Sequence, residues 1–174
     1  MCYYELNDVD VTVGSDFRTD AERFIKGKPS ELKGMEFSKL IVVLFENKDL
    51  IQRTACIPDD QFIRGDAPMS KSEVRALSVL KLNCDADSIV YDVGAGTGSV
   101  SIELALRAVD GTVYAIERDH DSIELIKENR KRFKVPNLIP VEGLAPEALN
   151  DLPAPTHVFI GGSSGNLKDV ISCI

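Results

Sequence analysis

A short apolar stretch that runs directly into a glycine-rich turn is the feature that most constrains the fold of this chain. Residues 90–93 read Val-Tyr-Asp-Val, and three glycines follow within the next five positions. Apolar residues then recur with helical spacing over residues 99–109. A strand, a glycine turn and a helix in this order indicate one unit of a parallel α/β sheet, in which ligands bind beyond the carboxyl ends of the strands.

The rest of the chain from Ile57 onward alternates in the same way, which predicts an α/β fold built on a parallel sheet. The capping pattern of Ser70 with Glu73 predicts the start of a first helix, and Val74, Leu77 and Leu80 or Leu82 would form its apolar face. Strands are predicted at residues 88–93, 112–117, 138–141 and 156–160, and helices at residues 99–109, 119–133, 145–149 and 167–174.

Residues 1–56 form a separate and smaller part of the chain, with a linker expected at residues 51–56. Alternating valines at positions 9, 11 and 13 predict a strand, residues 20–25 a helical stretch, and the apolar run at residues 40–45 a buried strand. Residues 46–49 are polar and indicate a turn. We expect this part to be too small to hold a core by itself.

Composition excludes several classes of function. The formal net charge of −8 argues against nucleic-acid binding, which needs a basic surface. No apolar run has membrane-spanning length, and the N-terminus lacks the pattern of a secretory signal, so we expect a cytoplasmic protein. The four cysteines and two histidines are isolated, which predicts no metal site. The basic residues from 127 to 134 are typical of a helix end.

The glycine turn and a following acid indicate an adenosine-containing ligand. Glu117 ends the next predicted strand, where a carboxylate can accept hydrogen bonds from both ribose hydroxyls. Dinucleotide sites use a similar pattern, but here the third glycine comes one residue early, at Gly98, and Asp92 lies two residues before the first glycine. These features favour S-adenosylmethionine, with a nicotinamide or flavin cofactor and a purely structural turn as the alternatives.

The chain from Ile57 onward resembles the decarboxylating precorrin carbon-15 methyltransferases of cobalamin biosynthesis. The matching stretches are residues 57–63, 70–80, the glycine loop, 113–118, 141–149 and 159–163. The glycine loop is common to many methyltransferases, whereas the Ile-Pro-Asp-Asp, Ala-Pro-Glu-Ala-Leu and Ile-Gly-Gly-Ser runs are together more specific. The resemblance implies a Rossmann-like class I methyltransferase fold dependent on S-adenosylmethionine for residues 57–174.

The resemblance also implies a reaction and a set of cofactor contacts. The substrate would be a precorrin of the cobalt-precorrin-6B or precorrin-7 type, methylated at ring carbon 15 with loss of an acetate carboxyl group. Relatives of this kind are homo-oligomers, so a tetramer is expected. Leu144 stands where the family commonly has an acid, which puts one adenine contact in doubt. The implied cofactor contacts are Ser70, Gly94, Ala95, Gly96, Thr97, Gly98, Glu117 and Ala145.

Catalytic residues are not identified by the sequence. Arg64, Lys71 and Arg75 lie near the predicted cofactor site and could face the carboxylates of a tetrapyrrole, but ordinary surface charges explain them better. Alternative functions are methylation of another small molecule or of a protein, or cofactor binding without catalysis.

Two further expectations concern the ends of the chain. Residues 1–50 resemble, more weakly, the tail of a tetrapyrrole carbon-5 methylase domain. Because four strands are predicted where the implied fold has seven, we expect the second domain to be truncated after its fourth strand, with weak cofactor binding, self-association and little turnover.

Overall fold

The computed structural model describes residues 9–46, 56–65 and 67–174. The chain divides into two compact units, Met1–Gln52 and Arg53–Ile174. Of the predicted linker at residues 51–56, Cys56 alone lies within the described residues, and residues 47–49 of the predicted turn lie outside them. Within the described ranges, no helix combines the length and the apolar character needed to cross a membrane.

The first unit contains a three-stranded antiparallel sheet in the order β2-β1-β3. Its small core is formed by Val9, Val11 and Val13, together with Leu32 from a short helix. The valine alternation therefore predicted β1 correctly. The elements are β1 (Asp10–Ser15), β2 (Arg23–Gly27), α1 (Pro29–Leu32) and β3 (Ile41–Glu46).

Two predictions for this unit were wrong. Residues 20–25 are not helical: a turn precedes β2, which pairs with β1 from Ser15 opposite Arg23 to Val11 opposite Gly27. Cross-strand pairing thus overrides the local helical pattern. The apolar run at residues 40–45 is largely a strand, but its side chains are exposed, up to 78% for Leu40. Most of the run forms β3, an outer strand of the sheet, while the buried cluster comes mainly from β1.

The second unit contains a parallel sheet in the order β6-β5-β4-β7, as the alternating pattern predicted. Helices or turns connect the strands, and 3-10 turns lie at Asp59–Gln61 and Glu147–Leu149. The chain leaves β4 toward β5 and β6 and later returns to its other side as β7. The elements are α2 (Ser72–Leu82), β4 (Ile89–Val93), α3 (Ser99–Arg107), β5 (Thr112–Glu117), α4 (His120–Arg132), β6 (Leu138–Glu142), β7 (His157–Ile160) and α5 (Leu167–Cys173).

The change of direction at β4 positions the functional site. In open parallel sheets, the crevice between strands whose connections run to opposite sides is the usual place for a ligand. Here that crevice lies beyond the carboxyl ends of β4 and β7, where the glycine turn follows Val93 and a second glycine-containing loop follows Ile160.

The first helix of this unit differs from its predicted description in two ways. Lys71, not Ser70, is the residue that precedes the first turn of α2, and no side chain caps the helix. The predicted apolar face is exposed, with Val74, Leu77 and Leu80 between 53% and 60% accessible. The buried residues of α2 are instead Arg75 and Val79.

Candidate functional site

A cavity of about 1000 Å³ lies at the carboxyl ends of β4, β5 and β7. Its floor is the glycine loop after β4, and its sides are the ends of β5 and β6 and the loop after β7. Residues that precede α2 form a further wall, which includes Pro68, Met69 and Ser70. The cavity therefore occupies the place that the sheet topology favours for a ligand.

The glycine loop has a backbone that only glycine adopts easily. Gly94, Gly96 and Gly98 have φ angles of +74°, +54° and +74°, in the left-handed region. Gly94 N and Ala95 N both donate to the carbonyl of Ile116 on β5, at 2.9 and 3.1 Å. Gly98 precedes the first turn of α3. The loop is thus fixed to the neighbouring strand and delivers the chain into the helix.

Glu117 is hydrogen-bonded to the glycine loop. Its Oε2 accepts from Gly96 N at 2.9 Å, and its Oε1 accepts from Arg118 N at 2.8 Å and from Asp119 N at 3.1 Å. The carboxylate is half-buried and lines the cavity. Because each carboxylate oxygen has two lone pairs, Glu117 can hold the loop and still accept from a ligand.

Six of the eight predicted cofactor contacts line the cavity: Ser70, Gly94, Ala95, Gly96, Glu117 and Ala145. The other two do not. Thr97 is fully buried, and Gly98 faces α4, where a Cβ would lie 3.0 Å from Cγ1 of Ile126. Thr97 and Gly98 therefore support the loop from behind.

Two of the polar cavity residues that were absent from the predicted contacts have a buried side-chain oxygen without a hydrogen-bond partner. Asp92 is buried, with Oδ2 accepting from the Ser101 hydroxyl and Oδ1 without a hydrogen-bond partner. Asn166, after β7, donates from Nδ2 to the Ala145 carbonyl, while its buried Oδ1 has no partner. Asp92 lies inside the motif and could have been chosen from its position, whereas nothing local in the sequence singles out Asn166.

Burial raises the pKa of Asp92 to about 6, although the hydrogen bonds from Ser101 oppose the shift. The folded chain therefore keeps this proton at pH values where the unfolded chain, with a pKa near 3.8, has lost it. The free energy of unfolding should fall as pH rises from about 4 to about 6, by an amount on the order of 3 kcal/mol.

The Asp92→Asn variant should lose this part of the pH dependence and should be more stable than the wild-type chain above pH 6. Urea unfolding at a series of pH values, followed by circular dichroism, measures the effect. A variant curve parallel to the wild-type curve between pH 4 and pH 6 would contradict the assignment to Asp92.

One of the three predicted surface cations is instead a buried structural residue. Arg64 and Lys71 are exposed, but Arg75 has no exposed surface. Its Nε donates to Oε1 of Glu103 on α3 at 2.7 Å, and its Nη1 lies 3.0 Å from Oδ1 of Asp59. The expectation of an ordinary surface charge was wrong for Arg75 because its carboxylate partners come from other segments.

The same guanidinium also binds backbone. Nη1 donates to the Ser70 carbonyl at 2.7 Å, Nη2 donates to the Ile57 carbonyl, and the group lies 4.7 Å from the centre of the Phe62 ring. Arg75 thus ties the segment before α2 to helix α3 of the sheet unit.

No group of three or more potential metal-ligating side chains occurs within residues 9–46, 56–65 and 67–174. His120 lies 3.2 Å from Glu142 on the surface, and His157 lies at the start of β7. Cys84 is buried, and burial raises the pKa of its thiol.

Comparison with known proteins gives consistent matches to one family. The family described as precorrin methyltransferase domain matches residues 61–174. A probable cobalt-precorrin-6B C(15)-methyltransferase (decarboxylating) from Sulfurisphaera tokodaii is 43% identical over 118 residues, which are 66% of this chain and 61% of that protein. The cobalt-precorrin-6B C(15)-methyltransferase (decarboxylating) of Salmonella typhimurium is 45% identical over 114 residues, 65% of this chain and 58% of that protein.

A solved structure agrees with these matches. The precorrin-6y C5,15-methyltransferase of Geobacter metallireducens has a TM-score of 0.65 at 42% identity, over 67% of this chain and 62% of that one. This likeness confirms the predicted α/β class and the Rossmann-like methyltransferase fold of the second unit. The chain spans 58–62% of the length of these three proteins.

Proposed function

We propose, on the premise that this chain belongs to the family of precorrin methyltransferase domains, that it binds S-adenosylmethionine and methylates a precorrin ring carbon with loss of carbon dioxide. The names of the relatives support carbon 15 as the position and cobalt-precorrin-6B as the substrate type. The single observation that carries the choice of cofactor is the charge of the cavity wall.

Within the described residues, the cavity wall carries more negative than positive charge. Four carboxylates and one guanidinium line it: Asp92, Glu117, Asp119, Asp121 and Arg118. S-adenosylmethionine carries a sulfonium and an ammonium group, both of which such a wall attracts. A dinucleotide carries a negatively charged pyrophosphate, which the same wall repels. The acidic cavity therefore favours S-adenosylmethionine over a nicotinamide cofactor.

Two features of the cavity also support this cofactor. A Cβ on Gly96 would lie 3.0 Å from the Pro68 carbonyl oxygen, so the absence of a side chain leaves the gap between loop and wall open. The buried, unpartnered Oδ1 of Asp92 gives an acceptor for a cationic or hydrogen-bonding group at the cavity floor. Because all three residues line the cavity, we assign Glu117 to the ribose hydroxyls, and Ser70 and Ala145 to the remainder of the adenosine half.

For this reaction the protein mainly has to align the methyl donor with the acceptor carbon. When bound, the cofactor supplies an activated methyl group, and the electron pair of the breaking carbon–sulfur bond stays on sulfur. The new bond to the ring carbon uses a pair of macrocycle electrons, and the pair released as the acetate loses carbon dioxide restores them. The charges balance, so no residue of this chain has to act as a base. Positioning alone can supply much of the rate enhancement.

S-adenosylhomocysteine should bind to the wild-type chain, and NAD should not. Glu117→Ala should weaken the binding of S-adenosylhomocysteine by about 1.5–3 kcal/mol, the range for hydrogen bonds to a charged group. Isothermal titration calorimetry measures both effects. Glu142→Ala is the matched control, because Glu142 ends the adjacent strand opposite Glu117 but does not line the cavity.

Tighter binding of NAD than of S-adenosylhomocysteine would refute the cofactor assignment. Equal losses in the Glu117→Ala and Glu142→Ala variants would refute the role of Glu117. The reaction itself is tested by mass spectrometry after incubation with a cobalt-precorrin and S-adenosylmethionine. A product that has gained a methyl group and lost carbon dioxide is expected, and methylation with retention of the carboxyl group would contradict the proposed decarboxylation.

A further inference from the structure

The cavity wall that precedes α2 contains no helix or strand within its described residues. This wall segment comprises residues 62–65 and 67–70. Its inner surface is formed by Gly65, Ala67, Pro68, Met69 and Ser70, all of which line the cavity. A turn hydrogen bond from Ala67 N to the Arg64 carbonyl, at 3.2 Å, lies within the segment. Since no helix or strand in its described residues joins the segment to the glycine loop, other groups must hold this wall at its distance from that loop.

One buried amide makes that connection. Asn129, on the third turn of α4, has no exposed surface. Its Oδ1 accepts from Ile63 N at 2.9 Å, and its Nδ2 donates to the Ile63 carbonyl at 2.7 Å. The same Nδ2 donates to the Thr97 carbonyl, inside the glycine loop, at 3.0 Å. One side chain therefore binds both the wall segment and the loop that form opposite sides of the cavity.

Among the described residues, Asn129 makes the polar connection at the Ile63 end of the wall. The Phe62 and Phe133 rings, with centroids 4.8 Å apart, add an apolar contact between the wall segment and the end of α4. At the opposite end of the wall, the Ser70 carbonyl accepts from Arg75. Between the contacts made by Asn129 and Arg75, the wall lies close to the glycine loop: a Cβ added to Gly96 would be 3.0 Å from the Pro68 carbonyl oxygen.

We propose that Asn129 is a positioning residue of the cofactor site, which sets the spacing between the wall segment and the glycine loop and so couples the order of the wall to ligand binding. The positioning role of Asn129 rests on its hydrogen-bond geometry. Its effect on ligand binding rests on the proposed binding of S-adenosylmethionine. Asn129 does not line the cavity, so it would act on a ligand through the wall segment and the glycine loop. By linkage, a ligand that needs the wall in place must also stabilise it.

Hydrogen–deuterium exchange of the ligand-free chain tests whether Asn129 holds the wall segment in place. Asn129→Ala should speed exchange of the backbone amides of residues 63–65, 67, 69 and 70 and of the glycine loop. Asn137→Ala is the matched control, because Asn137 likewise donates from Nδ2 to two carbonyls, those of Ala105 and Ala108, at 2.9 and 2.7 Å. These carbonyls lie at the far end of α3, away from the cavity lining. Unchanged exchange of the wall in Asn129→Ala would overturn the proposal.

Calorimetry with S-adenosylhomocysteine tests the effect of Asn129 on ligand affinity. Asn129→Ala should bind roughly tenfold more weakly or worse, as the loss of a buried hydrogen-bonding group implies, whereas Asn137→Ala should keep the wild-type affinity. Equal affinities of the two variants at matched thermal stability would overturn the proposal. Absence of binding by the wild-type chain would refute the proposed function, while the exchange experiment on the ligand-free chain would still decide the role of Asn129.

A third measurement covers the case in which Asn129→Ala does not fold. In the wild-type chain, S-adenosylhomocysteine should slow exchange of the amides of residues 63–65, 67, 69 and 70 together with those of the glycine loop. Protection of the loop without protection of the wall would overturn the coupling. The Asn129→Asp variant keeps an acceptor for Ile63 N but has no amide group to donate to the carbonyls of Ile63 and Thr97. It is therefore expected to give the same result as Asn129→Ala.

Discussion

Gly94→Ala is expected to abolish cofactor binding and to lower the free energy of unfolding by on the order of 3–4 kcal/mol. An added Cβ would lie 2.5 Å from the Gly162 carbonyl oxygen and 2.8 Å from Gly162 N. Both are backbone atoms, so no side chain can rotate away. The φ angle of +74° adds the cost of a left-handed alanine, about 1–2 kcal/mol, to an overpacking cost of about 1–3 kcal/mol.

The structural reason is that the loops after β4 and β7 meet backbone to backbone. Gly161 N and Gly162 N both donate to the Val93 carbonyl, at 2.9 and 3.2 Å. Separating these loops would widen the cavity at its floor, where the glycine loop has to approach the ligand. Urea unfolding measures the loss of stability, and calorimetry with S-adenosylhomocysteine measures the loss of binding.

Substitutions at two other glycines separate the backbone cost from the steric cost of Gly94→Ala. Gly162→Ala adds a methyl group on the other side of the same contact, but nothing lies within 4 Å of it, so stability should stay close to wild type. Gly165→Ala also points into open space and has a φ angle of +91°, so it reports the backbone cost alone. If Gly94→Ala destabilises the chain no more than Gly165→Ala, the backbone contact between the two loops has no energetic importance.

Arg75→Ala is expected to lower the free energy of unfolding by about 3–5 kcal/mol, the range for removing one partner of a buried ion pair. Glu103, with a side chain 4% exposed, would be left as a buried charge. The carbonyls of Ile57 and Ser70 would lose a donor at the same time. Thermal and urea unfolding followed by circular dichroism measure the effect.

A double variant identifies the cause of this loss. Arg75→Met combined with Glu103→Gln removes both charges and keeps the volume of the two side chains, so it should recover a large part of the stability lost in Arg75→Ala. Lys127→Ala, which breaks an ion pair with Glu124 on the surface of α4, is the exposed control and should cause no measurable change. A double variant as unstable as Arg75→Ala would show that the lost hydrogen bonds to backbone, and not the uncompensated charge, dominate.

The second unit could be predicted from sequence to a large extent because its signals are local. Apolar periodicity gave β5 at Thr112–Glu117 without error and the other strands of this unit to within a residue at each end. Helix α4 begins after Asp119, whose carboxylate accepts from Ser122 N at 2.9 Å. Basic residues lie in its last turn, as predicted from their position in the sequence. The motifs from residue 57 onward also identified the family, which the comparisons confirm.

The first unit shows where local signals fail. Residues 20–25 carry a pattern compatible with a helix, but hydrogen bonds to β1 make most of them a turn and the start of β2. Such bonds join residues that are distant in sequence, and no local propensity contains them. The origin of residues 1–50 in a carbon-5 methylase domain stays a prediction.

What the sequence alone determined is the order of strands and helices, the glycine turn and the acid that follows it, because backbone conformation and periodicity depend on neighbouring residues. Only the tertiary structure decided which face of α2 is buried, since periodicity shows which residues share a face but not what that face meets. It also placed Asn129 between Ile63 and Thr97, and Arg75 beside Glu103. Those partners lie 28 to 66 residues apart along the chain, so their interactions exist only once the sheet and its helices have brought them together.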